Sequence, residues 1–466
     1  MTRITAIQST AGPAREWLRL GLPALLVFGL LVAFRLPLAW SEGRFQDEEA
    51  TVFLASAWHF PSEALFRPFG GYLNLAANAS TLALATLVRS GTLPLEYAPY
   101  FTMIVGLLSQ LVPAILIMKS RSPWLADLRV RLVALLILVL MPTTEEVFLN
   151  AMHVQFHLAL AVGLIAALEA GNGRLRKVFE GSILFLAPLC GPAAIVFLPL
   201  FALRGLVERD RRRFWQFAIL ASGAAIQMLL FYHSTPLRGV PFDPLNLAAA
   251  MFIRLPVLLF SGLTGADFFG FAAAVGLVKG GPNLWVLGTL SVFVFAALFA
   301  ATLKARDDAF WLFAAAVGVA SVSLGFGIVT GAAFAPFFAL AGPRYNYIPL
   351  VMLSLCFLCL ATRADAAERR TPRMLVGLLL FVGVVHYLRP TDIYAEGPSW
   401  RKEVAAWRAD PQHLLLVWPE WKTDLSPRAI RCDQSFKPTD YIPRYCEQGW
   451  LTSFGVWFGP KLDAKN

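Results

Sequence analysis

Apolar runs of roughly 20 residues recur along this chain, among them 20–38, 97–118, 284–303 and 347–362. A run that is apolar on every side cannot lie as an amphipathic stripe on a water-soluble core. A bilayer solvates it on all sides, and a helix satisfies its own backbone there without closing a barrel. Composition agrees: 57% of residues are hydrophobic and 15% charged, against about 45–50% and about 25% in soluble domains. The expected fold class is an all-α polytopic membrane protein.

Charge gives the expected orientation. The net charge of +10 would suggest nucleic acid in a soluble protein. Here the Lys and Arg fall in short loops between apolar runs, as the positive-inside rule requires. The basic residues therefore face membrane lipids, and nucleic acid is excluded as a partner. Arg3, Arg15 and Arg19 precede run 20–38, and no small-x-small cleavage site follows in 37–46. This run is expected to stay as the first helix, with the N-terminus in the cytoplasm.

From there about 11 membrane helices follow. Segment 39–96 is too polar to span and is expected outside, with surface helices at 49–58 and 73–88. Helices 97–118, 132–141 and 156–168 come next, with the polar turn 142–157 on the outside. Stretch 178–203 is flanked by basic clusters on both sides and broken by Pro188, Gly191 and Pro192. It therefore predicts a hairpin of two short helices with both ends cytoplasmic. Helix 214–232 leads to an external segment, 233–282, with an interfacial piece at 245–263. Helices 284–303, 310–329, 347–362 and 374–388 complete the membrane domain, 1–388. The tail, 389–466, is expected as a small external domain.

Of the five Cys, Cys190, Cys356 and Cys359 lie in apolar runs and read as packing residues. Cys432 and Cys446 lie in the polar tail, where an oxidising exterior would let them pair. Closing that loop would contribute about 3 kcal/mol.

Four polar clusters could carry chemistry. The first is the acidic segment Gln46-Asp47-Glu48-Glu49, where Asp47 or Glu48 could act as a general base. Its bland reading is an acidic membrane boundary. The second holds Glu145, Glu146, Asn150, His153, Gln155 and His157, groups suited to sugar hydroxyls. His153 and His157 share a helical face and with Glu146 could hold a metal, although a capped polar turn explains them too. The third is Gly342-Pro343-Arg344-Tyr345, where Arg344 offers a bidentate fork to phosphate. Arg67, Arg238 and Arg254 are lesser candidates for that role. The fourth is Arg67-Pro68-Phe69-Gly70-Gly71-Tyr72, where Tyr72 could stack on a sugar or belong to the aromatic belt.

In this order the clusters resemble the polyprenyl-phosphate-dependent glycosyltransferases of the C superfamily (GT-C fold), in a bacterial group that modifies cell-envelope glycans. The resemblance rests on Gln46–Glu49, Phe69-Gly70-Gly71-Tyr72, the Glu145–Gln155 turn, the broken Cys190-Gly191-Pro192 hairpin, Arg344-Tyr345, and the tail segments 398–407 and 418–425. It implies a GT-C-like fold in the bacterial inner membrane with a periplasmic C-terminus. The expected donor is a sugar on a polyprenyl phosphate, and the acceptor an envelope glycan or lipid. Asp47, with Glu48 next, is the implied base. Arg344, Tyr345 and Arg67 would bind the donor phosphate. Tyr72, Glu145, Glu146, Asn150, His153, Gln155 and His157 would bind substrate. His153 and Phe156 stand where the resemblance leads one to expect Asn and Trp. Some relatives use a divalent cation, Mg or Mn, so the cofactor stays open. Six Trp of the tail (Trp400, Trp407, Trp418, Trp421, Trp450 and Trp457) would bind acceptor or form a small core. Two other classes compete: a flippase for a lipid-linked saccharide and a non-catalytic envelope assembly protein.

Overall fold

The computed structural model describes residues 17–169, 173–232, 243–304, 307–328, 333–363, 365–419 and 421–426. Within them the chain is a helical, multi-pass membrane protein. Six helical stretches are long and apolar enough to cross a membrane: Leu95–Met118, Pro244–Lys279, Asn283–Leu303, Asp308–Gly327, Arg344–Ala361 and Ala366–Leu388. Shorter helices fill the space between them.

The principal helices are α1 (Leu22–Arg35), α2 (Leu75–Arg89), α3 (Ala98–Met118), α4 (Leu128–Leu140), α5 (Val154–Ala167), α6 (Arg174–Cys190) and α7 (Leu198–Glu208). They continue with α8 (Arg211–Tyr232), α9 (Pro244–Lys279), α10 (Asn283–Leu303), α11 (Asp308–Val322), α12 (Arg344–Ala361), α13 (Ala366–Leu388) and α14 (Trp400–Ala409). The most deeply buried are α5 and α12. Their apolar side chains are closed in on all faces, from Leu160 and Leu164 on one to Leu350 and Cys356 on the other. The remaining helices wrap this pair and turn apolar residues such as Leu26, Phe34, Val292 and Phe381 outward, as a lipid-facing layer must.

The expected hairpin is present. Helix α6 ends at Cys190, a 3-10 turn over Pro192–Phe197 follows, and α7 returns. The basic ends meet, because Glu180 of α6 pairs with Arg212 at the start of α8 at 2.9 Å. Arg204 and Arg213 donate to the carbonyls of Ala166, Ile165 and Leu168 at the end of α5. They cap the helix terminus whose last carbonyls have no intrahelical donor. Lys119, Arg363 and Asp308 gather at this same end through Arg176, Asp307 and Arg204.

Three expectations change. Helix α1 ends at Arg35, since Leu36 before Pro37 is pushed out of helical geometry (φ −127°, ψ 70°), and a short helix, Pro37–Glu42, follows. Segment 233–282 was expected as an external loop with one interfacial piece. Its first ten residues lie outside the described ones, but Pro244–Lys279 is one helical stretch, broken at Gly262 (φ 69°). The break frees the Leu263 N–H, which donates to His386 Nε2 of α13 at 3.2 Å. The third change concerns the turn 142–157. The polar turn expected on the outer side is not open to water: its residues are buried, because the first loop and the tail cover it.

The described part of the tail and the first loop share one apolar core, in which Phe45, Leu54, Leu84 and Leu95 meet Trp400, Val404 and Leu415. The tail contributes α14 and the antiparallel hairpin β3 (Leu415–Val417) and β4 (Trp421–Thr423), with Leu415 opposite Thr423. Trp418 then crosses to the acidic segment. Its N–H donates to Phe45 O at 3.0 Å, and its carbonyl accepts from Asp47 N at 2.6 Å. Trp400 Nε1 donates to Leu95 O at 2.8 Å and Thr423 Oγ1 to Ala50 O at 3.0 Å. Cys432, Cys446, Trp450 and Trp457 lie outside the described residues.

This docking depends on Gly397, where an added Cβ would collide with the Trp418 indole. Gly397→Ala is expected to cost about 1–3 kcal/mol through overpacking and to loosen the tail. Thermal unfolding in detergent and protease cleavage between residues 389 and 426 would read this. Unchanged stability and cleavage would mean that the tail does not hold the acidic segment.

Candidate functional site

The site is built around residues 141–153, a buried segment whose one regular element is the 3-10 turn Glu145–Val147. Side chains from elsewhere satisfy its backbone. Arg35, at the last turn of α1, donates to the carbonyls of Val139 and Met141 and pairs with Glu145 at 2.9 Å. Arg44 donates to Phe148 O and, at 3.0 Å, to Tyr394 O of the tail. Asn74 donates to Met152 O at 2.8 Å. His157 Nε2 lies 2.8 Å from Val147 O. Asn150 Nδ2 lies 2.9 Å from Glu146 O and 3.2 Å from Gln46 Oε1.

The acidic segment sits over this floor. Its three acids differ in exposure: Glu49 is fully buried, while Asp47 and Glu48 are half-buried. Glu49 accepts from Ala151 N at 2.6 Å and from Gln46 N at 3.3 Å, so it ties the segment to the floor. Asp47 faces the cleft in the left-handed region (φ 41°). Gln46 Nε2 donates to Asp47 Oδ2 at 3.3 Å, which completes an Asn150–Gln46–Asp47 chain. Thr143 (φ 55°) and Leu149 (φ 56°) are also left-handed. Non-glycine residues adopt this region at a cost, and such positions gather where function over-determines the backbone.

Opposite stands Arg344, at the first turn of α12. Its N–H donates to Glu146 Oε2 at 3.0 Å, and its guanidinium pairs with Glu146 Oε1 while lying over the Tyr345 ring, 5.3 Å from the centroid. Loop 339–346 is held by Arg254, which donates to Asn346 Oδ1 at 2.8 Å and Gly342 O at 3.0 Å. Of the sequence candidates, Asp47, Glu48, Glu146, Asn150, His153, Arg344 and Tyr345 come together here. Glu145 is spent on Arg35 and His157 on backbone, so both are supports. Gln155 Nε2 reaches Tyr72 OH at 3.4 Å, at the β1–β2 hairpin (Pro68–Phe69 and Tyr72–Leu73). Arg67 donates to Ser56 at 3.1 Å and stacks on Phe60. Among the described residues no group of three or more His, Cys, Asp or Glu converges as a metal site. Arg238 lies outside them.

The electrostatics follow from burial. The Asp47 carboxyl is pushed up to about 8, by burial first and then by the charges of Glu48 and Glu146; the Gln46 hydrogen bond and Arg344 oppose this. Burial pushes Glu49 up to about 7, against the Ala151 N–H and Arg44. Burial and Arg344 hold His153 well below its usual value, so it is neutral. A carboxyl poised near neutral pH beside a cation is suited to proton transfer.

Sequence reasoning missed Arg35, Arg44, Gln46 and Trp418 as builders of the site. A charge within an apolar run was the available signal for Arg35. A cavity of about 860 Å³ opens at the basic end. Among its acids, Glu180 is paired with Arg176 and Arg212 and Glu208 with Arg204, while Asp210 accepts the Arg212 N–H. Comparison of the chain with protein-family models, curated proteins and solved structures gives no match.

The raised carboxyls make a stability prediction. Asp47 and Glu49 have folded values above their unfolded ones, so their contribution is complete below about pH 4 and is lost as pH rises through about 7 and 8. Thermal midpoints should fall between pH 5 and pH 9, and Glu49→Gln should remove part of that fall. An identical slope in wild type and Glu49→Gln would disprove that burial raises the Glu49 carboxyl.

Proposed function

We propose that this chain is a membrane glycosyltransferase of GT-C type with about 11 membrane helices. It moves a sugar from a polyprenyl phosphate to an envelope glycan or lipid acceptor at the face that carries the acidic segment. The observation that carries the reading is one half-buried acid, Asp47, within the electrostatic reach of one partly exposed guanidinium, Arg344. Base and anion clamp are the two groups that displacement at an anomeric carbon needs. Of the residues quoted for the family resemblance, Gln46, Asp47, Glu48, Glu146, Asn150, His153, Arg344 and Tyr345 support it by lying together, and Gln155 reaches Tyr72 beside them.

In this reading Asp47 accepts the proton of the acceptor hydroxyl, whose oxygen forms the new bond to the anomeric carbon. The bond from that carbon to the phosphate oxygen breaks with inversion. The phosphate leaves with the electron pair, and Arg344 neutralises it. Gln46 and Asn150 orient the carboxylate. The face is assigned to the periplasm because Lys119, Arg176, Arg204, Arg213 and Arg363 gather at the opposite end. The same two-ended division disfavours a flippase, which needs polar groups along the path between the ends.

The test is transfer in reconstituted vesicles with labelled polyprenyl-phosphate sugars and an envelope-glycan extract. Asp47→Asn should lower kcat by about 10²–10⁴-fold and Glu48→Gln by much less. Arg344→Ala should impair both kcat and KM. The rate should rise with pH through about 8, where Asp47 loses its proton. Label that changes leaflet without any transfer would replace the enzyme with a flippase. Transfer that survives Asp47→Asn would move the base elsewhere.

A further inference from the structure

The partner of Arg344 is itself informative. Glu146 is only 2% exposed, whereas the Arg344 side chain is 34% exposed. A solute can therefore reach the guanidinium while the carboxylate behind it stays covered. The two Glu146 oxygens are used separately: Oε2 accepts the backbone N–H that opens α12, at 3.0 Å, and Oε1 accepts the guanidinium. A backbone N–H at a helix start together with an arginine fork is the donor set that holds a phosphate group.

Two further groups face the same carboxylate. His153 Nε2 lies 3.9 Å from Glu146 Oε1, and its Nδ1 is buried without a hydrogen-bond partner. Arg254 is fully buried and lies within the electrostatic reach of Glu146. Its Nε and Nη2 are used on Asn346 and Gly342, but Nη1 is buried with no partner. The cradle thus holds more donor capacity than one carboxylate uses. A tetrahedral dianion offers more acceptor oxygens and more charge than a carboxylate.

We infer that Glu146 is the resting occupant of a phosphate-monoester site formed by Arg344, the first N–H of α12 and Arg254, and that the ligand phosphate binds by displacing this carboxylate. The inference rests on the role proposed for Arg344 in neutralising the leaving phosphate, which departs as a monoester, and adds a competition to it. Glu146 lowers affinity for phosphate in the resting state and keeps the buried cations paired while the site is empty. Removing one partner of a buried ion pair leaves the other charge uncompensated. Without Glu146 the cradle therefore becomes dependent on an external anion.

The experiment measures binding and stability without any sugar. The full chain in nanodiscs is titrated with farnesyl monophosphate, and thermal midpoints are recorded in chloride-free buffer with and without inorganic phosphate. Glu146→Gln is expected to bind farnesyl monophosphate at least tenfold more tightly than wild type. Its midpoint should be lower without anion, and phosphate should raise it by more than it raises wild type. Arg344→Gln in the same background should abolish both effects. Glu146→Asp, which keeps the charge and withdraws it by one methylene, should fall between and serves if Glu146→Gln does not fold.

Equal or weaker binding by the folded variants, or a midpoint insensitive to phosphate, overturns the inference and makes Glu146 a plain structural partner. Tight phosphate binding with no sugar transfer from any donor keeps the anion site and removes the glycosyltransferase reading. Transfer by wild type with unchanged affinity in the variant keeps the enzyme and removes the competition.

Discussion

A chain that buries a non-helical segment beside a membrane must supply hydrogen-bond donors to carbonyls that neither water nor a ladder will satisfy. Residues 141–153 pose that problem, and the fold around them is its solution. Arg35, Arg44 and Asn74 come from helix ends and loops distant in sequence, Asn150 from the segment itself and His157 from the first turn of α5 beside it, and each takes a carbonyl of this segment or of its border. Two of the five are guanidinium groups with almost no exposure, which bring several donors on one rigid fork. Because these donors are fixed to α1, the first loop, α2 and α5, satisfying the segment also fixes how those elements meet. The site is a by-product of that solution, since the acids that keep the arginines paired line the same cleft.

The acidic segment is positioned from two directions. Glu49 anchors it below to Ala151 N, and Trp418 anchors it above to Asp47 N. Between these two bonds the chain has little freedom, and Asp47 is held in a left-handed conformation that an unrestrained aspartate seldom adopts. The tail is therefore part of the site's frame, and the break between membrane region and tail at about residue 388 is a change of composition more than of packing. The apolar core shared by Phe45, Leu95 and Trp400 makes the same point.

Much of the helical plan was legible because it rests on local signals. Uniform apolar runs gave α3 and α10 nearly to the residue, and α12 and α13 at their ends, although these two helices start earlier, at Arg344 and Ala366, among polar and basic residues. Basic flanks with Pro188, Gly191 and Pro192 gave the hairpin, since two clusters of the same sign cannot bracket a single span. What escaped was non-local or counter to type. The polar composition of 142–157 argues for water, and only the donors arriving from Arg35 and Arg44 explain its burial. Arg35 reads locally as the outer end of a span. The pairing of Trp418 with Phe45 and Asp47 leaves no periodic trace, because one residue forms the bridge. Gly262 lies in a run that continues apolar to Val278, so its break could not be separated from an ordinary helical glycine without His386 beside it.

Charge balance explains why Asp47 and Arg344 differ from their neighbours. Glu145 is neutralised by Arg35 at 2.9 Å, and Glu146 by Arg344. Glu49 receives two backbone N–H groups and the field of Arg44. Each buried acid therefore has a partner that is itself buried or fixed. Asp47 has only the amide of Gln46 at 3.3 Å and a cation already engaged elsewhere. Its proton is thus the least firmly settled in the cleft and the one an arriving group can change. Arg344 is the matching cation, the member of its pair that faces outward. With Glu49, Glu145 and Glu146 held internally, Asp47 and the outward face of Arg344 are left to respond to a ligand.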